Sequence, residues 1–328
     1  MMKKSRMRSG NQLLLASGFS LIELLVALVL GTLVVLATTG IFISNKRSYN
    51  TTQSTSRIQE NARSAFEMLS RELREAGANS CSKGIPTASL LLDPGGVPLP
   101  GWWSDWQVPL HGYANGAGPA GTSILTGTDA IAVLSTVDEG RFVLSHAPAT
   151  ALMTLNTTAG LKPQDVLLAC DYTQGAIFQA TGVTATTVSH LKAGLNCRQG
   201  LGMPQGCSDA VAGVAKEFTE GSRVSKLQAS LWYVAENDRG GTSLYRKRML
   251  EGAVGDAEEI AEGVTDMELT YLGPSGAGQA YQDTLANYAD ATAVRVHMTI
   301  QDTQVTGTEN QPIVRQLMNV VSLRNRLP

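Results

Sequence analysis

The sequence predicts an α+β protein in which one long N-terminal helix packs on a mostly antiparallel β head. Residues 19–76 combine an apolar run with an amphipathic helical pattern. After Gly77, apolar and polar residues alternate with a period of two, and no convincing long helix is expected. The helix should therefore cover one face of a sheet.

The composition is that of a folded protein, with 43% hydrophobic and 16% charged residues, which argues against bulk disorder. The formal net charge is −2, and loss of a leader with its four basic residues would change it to −6. A mildly acidic chain is poorly suited to bind phosphate backbones, so no nucleic-acid partner is expected.

The N-terminus divides into a short basic segment, residues 1–18, and an almost purely apolar run, residues 19–43. As a helix this run spans about 37 Å, enough to cross a hydrocarbon core of about 30 Å. Because basic residues precede the run, the N-terminus is expected in the cytoplasm and the head in the periplasm.

Three explanations of this N-terminus compete. A secretory signal peptide places its apolar stretch before the cleavage site, whereas here the best small-residue site, Gly18, precedes the apolar run. A plain membrane anchor explains the length but not Glu23, since a carboxylate in a membrane span needs a partner. The third explanation supplies that partner.

Residues 18–28 (GFSLIELLVAL) resemble the signal of type IV prepilins and pseudopilins. The resemblance implies a cytoplasmic leader, residues 1–18, that a prepilin peptidase removes after Gly18, with N-methylation of the new first residue, Phe19. It also implies that Glu23 meets the N-terminal amine of Phe19 in a neighbouring subunit, so that neither charge lies alone in an apolar filament core. Many pilins carry a proline in this helix. Here the run has no proline but has Gly31 and Gly40, so no proline-type kink is predicted, although Gly40 is a point where the helix could loosen.

Residues 44–77 are predicted to form the amphipathic half of the same helix. Ile58, Ala62, Leu69 and Leu73 follow the three-four spacing of one helical face. Glu67 and Arg71 lie four residues apart and are expected to pair on the solvated face, and Gly77 fits the residue just beyond a helix end.

The end of this helix is similar to that of the PilW family of minor pilins. The similarity lies in residues 59–63 (QENAR), 69–77 (LSRELREAG) and Cys81. Weaker likenesses follow in 127–130 (GTDA), 167–171 (LLACD), 243–246 (SLYR), 262–267 (EGVTDM) and 321–325 (VSLRN). An ordinary amphipathic helix would explain the periodicity but not the glycine and cysteine at its end.

The remaining residues, 78–328, are assigned to a periplasmic head rich in β-structure. Residues 84–127, rich in Gly and Pro, are predicted to form a long irregular loop that carries Trp102, Trp103 and Trp106. These tryptophans are candidates for a partner contact, and the alternative is that they fill the core of the head.

Strands are expected at several places in the head. Residues 129–134 form the first, and residues 165–171 and 176–181 form a pair joined through Gly175. Three later segments alternate as half-buried antiparallel strands do. Their apolar positions are Leu227, Ala229, Leu231 and Tyr233; Met267, Leu269 and Tyr271; and Val294, Val296, Met298 and Ile300.

The four cysteines, Cys81, Cys170, Cys197 and Cys207, contain no Cys-x-x-Cys pair, which disfavours zinc or thioredoxin-like chemistry. In an exported protein an even number favours two disulfides with three candidate connectivities, against buried free thiols. In the PilW family the second cysteine usually follows the Ser-Asp of the strand, whereas here Cys170 precedes Asp171, which leaves its pairing open. We favour Cys81 with Cys170 and Cys197 with Cys207.

No catalytic, cofactor or metal site is predicted. The four histidines are widely scattered, and His297 on a strand is expected to be a surface residue. The acidic stretch at Asp256, Glu258, Glu259 and Glu262 is expected to be a solvated loop, with a calcium site as the alternative.

The resemblance implies a minor pilin that primes pilus assembly in the inner membrane and lies at or near the pilus tip. The implied partners are prepilin peptidase, other minor pilins, the major pilin, the inner-membrane assembly platform and, as a further candidate, a tip adhesin. A J-type minor pseudopilin of type II secretion is the close alternative, and a membrane-anchored periplasmic enzyme is the alternative from a different class.

Overall fold

The computed structural model describes residues 20–78, 81, 85–93, 99, 101–204, 207, 214–274, 280–306 and 312–326. The leader, Gly18 and Phe19 therefore lie outside the described residues. The chain divides into two compact units, Met1–Gln53 and Ser54–Pro328.

One long helix, α1, runs from Leu21 to Glu75 and continues without interruption through Gly31 and Gly40. It ends as predicted, because Gly77 adopts a left-handed conformation with φ of 70° and donates its N–H to Leu134 O at 2.9 Å. Buried residues occur in the second half only, from Ser54 onward. The helix from Ser54 to Glu75 belongs to the same unit as the head.

Sixteen strands follow the helix in the described residues. In chain order they are β1 Thr87–Ser89, β2 Leu110–Tyr113, β3 Ala130–Val137, β4 Val143–Ala147, β5 Leu152–Leu155, β6 Val166–Cys170, β7 Gly175–Gln179, β8 Gly182–Val183, β9 Thr187–Ser189, β10 Arg223–Glu236, β11 Thr242–Leu250, β12 Ala253–Val254, β13 Glu258–Glu262, β14 Val264–Leu272, β15 Ala293–Thr306 and β16 Pro312–Ser322. Short 3₁₀ turns lie at Pro148–Thr150, Tyr288–Asp290 and Arg324–Arg326.

The strands form three sheets. The largest has nine strands around β10, which pairs with β3, β6 and β11. A four-stranded sheet has the order β4-β5-β9-β8, and a three-stranded sheet has the order β14-β15-β16. The pairs are antiparallel except β1 with β7. The α+β class predicted from the sequence is therefore confirmed.

The largest core cluster joins the second half of α1 to two sheets. Leu69 and Leu73 of the helix share this cluster with Trp232 of the nine-stranded sheet and with Met267 and Val296 of the three-stranded sheet. The helix therefore packs against two sheets, whereas the sequence predicted that it covers one sheet face.

Three strand predictions need correction. Gly175 lies within β7, and the turn before it is made by residues 171–174. The loop predicted at 84–127 contains the short strands β1 and β2. Strand β10 is buried on both faces from Ala229 to Val234, not on one, because core clusters cover both sides of the central strand.

Pairing on the helix surface also differs from the prediction. Glu67 accepts a hydrogen bond from Arg63 Nε at 2.8 Å, so its partner lies one turn before it and not, as expected, one turn after it at Arg71. Both side chains are exposed, so the replacement of Arg71 by Arg63 as the partner of Glu67 changes the stability of the helix little.

Candidate functional site

The first turn of α1 is closed by a reciprocal capping box. The Ser20 N–H donates to Glu23 Oε2 at 3.0 Å, and the Glu23 N–H donates to Ser20 Oγ at 3.2 Å. This arrangement satisfies two N–H groups that a helix start leaves without partners within the helix. Glu23 thus has a local role at the helix N-terminus, where a negative charge is favoured. Its predicted partner, Phe19, lies outside the described residues.

The first half of α1 exposes a continuous apolar surface. Leu21 is 81% exposed, Phe42 is 68% exposed, and the large apolar residues between them are exposed on every side of the helix. The helix is long and apolar enough to cross a membrane. A helix that is hydrophobic all round needs lipid or other helices around it. This apolar half is therefore suited to be a membrane anchor.

The second half of α1 is fixed to the head by Glu72. Its Oε2 accepts hydrogen bonds from Trp232 Nε1 at 2.6 Å and from Ser230 Oγ, and its Oε1 accepts one from Arg246 Nη1 at 2.8 Å. The Arg246 guanidinium also lies over the Trp232 ring, 5.3 Å from its centroid. We call these four residues the Glu72 cluster.

The guanidinium of Arg246 in the Glu72 cluster also binds a second carboxylate. Arg246 Nη2 donates to Glu258 Oε2 at 2.8 Å, and the Arg246 side chain is only 13% exposed. Burial lowers the pKa of Arg246, but the hydrogen bonds and charges of Glu258 and Glu72 outweigh burial and raise it. The sequence placed Glu72 and Arg246 in two PilW-like segments, 69–77 and 243–246, and the fold brings these segments together.

Two further PilW-like segments meet other parts of the chain. Asn325 Nδ2 donates to Arg74 O at 3.2 Å, which ties the 321–325 segment to the end of α1. Asp129 Oδ2 accepts from the Leu269 N–H at 2.8 Å, which ties the 127–130 segment to β14. The first segment therefore joins the helix to the chain after β16, and the second joins the nine-stranded sheet to the three-stranded sheet.

Both disulfides favoured from the sequence are present. Cys81 pairs with Cys170, and Cys197 pairs with Cys207. The first joins the chain just after the helix to β6, and the second closes a short loop. Disulfides persist in oxidising compartments, and together with the apolar helix they suggest a membrane anchor with an exported head.

The tryptophans lie in the core of the head. Trp103 is 9% exposed and belongs to a buried cluster with Leu134 and Leu168, and Trp102 and Trp106 are half-buried against the same cluster. This packing agrees with the alternative that the tryptophans fill the core of the head. A partner contact at these residues stays a prediction. Because aromatic rings bury a large area, a loop without regular secondary structure can cover one face of β10 with its tryptophans.

Two histidines that are far apart in sequence form a buried pair. His146 Nε2 and His190 Nε2 lie 2.9 Å apart. His146 Nδ1 accepts from the Phe218 N–H at 3.1 Å, and His190 Nδ1 lies 3.0 Å from Gln199 O. Because Nδ1 of His146 accepts, its proton is on Nε2 and is donated to His190, whose own proton is on Nδ1 and is donated to Gln199.

This network satisfies both rings in their neutral forms. Burial lowers the pKa of His146 and of His190 to about 4, and for His146 the neighbouring ring lowers it further. Sequence reasoning missed the pair because the two residues are on different strands and loops, and no local spacing indicates their contact.

The remaining predicted polar sites take simple structural roles. Asp256 lies in a loop as predicted, but Glu258, Glu259 and Glu262 lie in strand β13. These three carboxylates bind arginines: Glu258 contacts Arg246, and Glu259 and Glu262 contact Arg239. His297 Nδ1 lies 3.2 Å from Glu268 Oε2 on the neighbouring strand. Within the described residues, no group of three or more His, Cys, Asp or Glu residues is placed to hold a metal ion.

Comparisons with known proteins give no match: a scan of protein-family models, a search of curated proteins and a search of solved structures each found none.

Proposed function

We propose that this chain is a PilW-type minor pilin that is processed by prepilin peptidase and joins other minor pilins to prime pilus assembly. The observation that carries the proposal is the apolar first half of α1, uncovered on every side, with Glu23 as its only acidic residue in the first turn. The motif residues Gly18 and Phe19 immediately precede it.

The assembly mechanism follows from the cost of placing a charge in an apolar environment. When helices pack side by side in a membrane or a filament core, the Glu23 carboxylate must meet a positive group. Cleavage after Gly18 creates such a group, the amine of Phe19, four residues before Glu23. Pairing between the amine of one subunit and the carboxylate of the next would set their axial register.

The head contributes rigidity in this proposal. The Glu72 cluster and the Cys81–Cys170 disulfide fasten the end of the helix to the sheets. The part of α1 from Ser54 onward and the head would then act as one unit. Such coupling is what a subunit needs if it links a filament to other minor pilins, to the major pilin or to a tip adhesin.

The mass of the mature chain tests processing. The full-length protein would be expressed with and without prepilin peptidase, and its intact mass measured. We expect a mature chain that begins with N-methylated Phe19 only when the peptidase is present. A chain that begins at any other residue would exclude the proposal. A Gly18→Val variant, expected to remain unprocessed, is the matched control.

The close alternative is a J-type minor pseudopilin, because type II secretion systems use the same signal and helix. Deletion of the gene distinguishes the two: pilus loss with normal secretion favours the pilin, and secretion loss with normal pili favours the pseudopilin. A membrane-anchored enzyme is the alternative of a different class, and it predicts a catalytic cluster open to solvent. The His146–His190 pair does not favour it, since both rings are buried and hydrogen-bonded to each other and to backbone groups.

A further inference from the structure

Strand β16 forms one edge of the three-stranded sheet. Among the described strands it pairs with β15 alone, and it is 11 residues long. Long exposed edges offer unpaired backbone groups to other chains, and proteins usually protect them with lysines, prolines or bulges. In β16 the only proline is its first residue, Pro312, the only charged residue is Arg315, and there is no lysine.

The pairing register identifies the residues that face the free edge. Ser322 lies opposite Ala293, and the Leu323 N–H donates to Thr292 O at 2.9 Å. Hydrogen-bonded and non-bonded pairs alternate in an antiparallel ladder. From Val314 to Ser322, where the register is continuous, the odd-numbered residues of β16 therefore bond to β15, and the even-numbered residues direct their N–H and C=O groups to the free edge.

The same even-numbered residues carry exposed apolar side chains. Val314 is 46% exposed, Met318 is 67% exposed and Val320 is 50% exposed. These three residues lie on the outer face of the sheet, because Met318 is opposite the half-exposed His297. A strand added at this edge would gain backbone hydrogen bonds and cover this apolar row.

Beside this edge lies a groove of about 970 Å³, which we call the β16 groove. Its walls are α1 residues 63–75 on one side and β16 with the following turn on the other, and Phe66 and Leu317 give it an apolar part. Four arginines and two glutamates line it, so its charge is positive. The charged residues are Arg63, Arg71, Arg74, Arg324, Glu67 and Glu75.

We propose that the free edge of β16 and the β16 groove bind an extended, acidic segment of another protein by β-strand addition. The unpaired edge selects an extended backbone, the apolar row selects alternate apolar side chains, and the arginines select acidic ones. A second copy of this chain fits less well. Its own β16 would bring the same arginines, and the carboxylates of its acidic strand β13 already bind Arg239 and Arg246. The inference does not depend on the assembly role of the N-terminal half of α1.

The experiment uses the full-length chain in detergent and two fluorescent peptides, one of alternating glutamate and valine and one of alternating lysine and valine. We expect the acidic peptide to bind, with affinity that falls as salt is raised, and the basic peptide not to bind. Met318→Pro removes an N–H that faces the free edge and leaves the β15 ladder intact. It should weaken binding about tenfold, the factor that corresponds to one backbone hydrogen bond.

A second variant avoids any damage to the strand. Arg71→Glu combined with Arg74→Glu changes two exposed side chains of the groove and should reverse the preference to the basic peptide. Equal binding of the two peptides by the wild-type chain, or an unchanged preference in this double variant, would overturn the proposal. The proposal would also be overturned if the wild-type chain bound neither peptide but formed a dimer, and Met318→Pro converted this dimer to a monomer. The partner at the edge would then be a second copy of the chain.

Discussion

At the residue scale, the Glu72 cluster concentrates the attachment of the helix to the head. One carboxylate, 22% exposed, accepts from three side chains of the nine-stranded sheet. An exposed ion pair such as Arg63–Glu67 adds little stability because water screens it. A half-buried carboxylate with several donors is different, because its removal leaves those donors without an acceptor.

We expect Glu72→Gln to lower the free energy of unfolding by about 2 kcal/mol, since Arg246 would lose one of its two charged partners in a half-buried site. Thermal unfolding of the full chain in detergent, followed by circular dichroism, measures the change. Glu67→Gln is the matched control, and we expect less than about 0.5 kcal/mol there. Equal losses in the two variants would contradict the importance of the cluster.

The His146–His190 pair should make stability depend on pH. The pKa of each ring is lowered to about 4 in the folded chain, from an ordinary 6.5. The unfolded chain therefore binds more protons between these values, and the stabilisation present above pH 6.5 is lost as the pH falls toward 4. We expect the melting temperature to fall over this range. His146→Gln should reduce the slope of the melting temperature against pH, because it removes one of the two buried imidazoles. Identical slopes in wild type and His146→Gln would exclude this role.

At the element scale, the end of α1 depends on the left-handed conformation of Gly77. We expect Gly77→Ala to destabilise the protein by about 1 kcal/mol, because a Cβ is disfavoured at positive φ. Chemical denaturation of the full chain measures the loss. Gly77→Asn is the control and should lose less, since asparagine tolerates this conformation better. An alanine variant as stable as wild type would show that the helix end does not require glycine at position 77.

The two disulfides should differ in their contributions. Their cysteines are separated by 89 and by 10 residues. In the loop-entropy model the disulfide that closes the longer loop raises the free energy of unfolding by about 4.6 kcal/mol, and the other raises it by about 3 kcal/mol. Replacing Cys81 and Cys170 with alanine should therefore destabilise the head more than replacing Cys197 and Cys207. Peptide mapping without reduction checks the connectivity, and any other pairing would contradict it.

At the scale of the whole molecule, anchoring and folding are expected to be separable. Glu23 and the exposed apolar residues lie in the first unit, and the core lies in the second. A change at Glu23 should therefore affect assembly and leave the stability of the head unchanged.

Under the proposed function, Glu23→Ala should abolish or strongly reduce surface pili, while the melting temperature of the head stays within about 1 °C of wild type, as expected for an exposed site outside the compact unit of the head. Electron microscopy counts the pili, and circular dichroism measures the melting. Glu60→Ala, at an exposed position in the second half of α1, is the control and should assemble normally. Normal pili in Glu23→Ala would contradict the role of this carboxylate.

The sequence by itself determined the local elements. The helix followed from an apolar run joined to three-four spacing, and its end followed from Gly77. The alternation in β14 and β15 followed from the period of two. These features could be predicted because the geometry of a helix or strand repeats over a few residues and leaves its period in the sequence. The favoured cysteine pairs were also right, with the support of a family resemblance.

Only the tertiary structure decided which distant residues meet. The contact of Glu72 with Arg246, the contact of His146 with His190 and the burial of Trp103 join residues with no local relation in the chain. The free edge of β16 likewise depends on the order of strands in its sheet. Strand order and packing result from competition among many long-range contacts, and each such contact costs loop-closure entropy. A local sequence pattern therefore does not encode which contacts form.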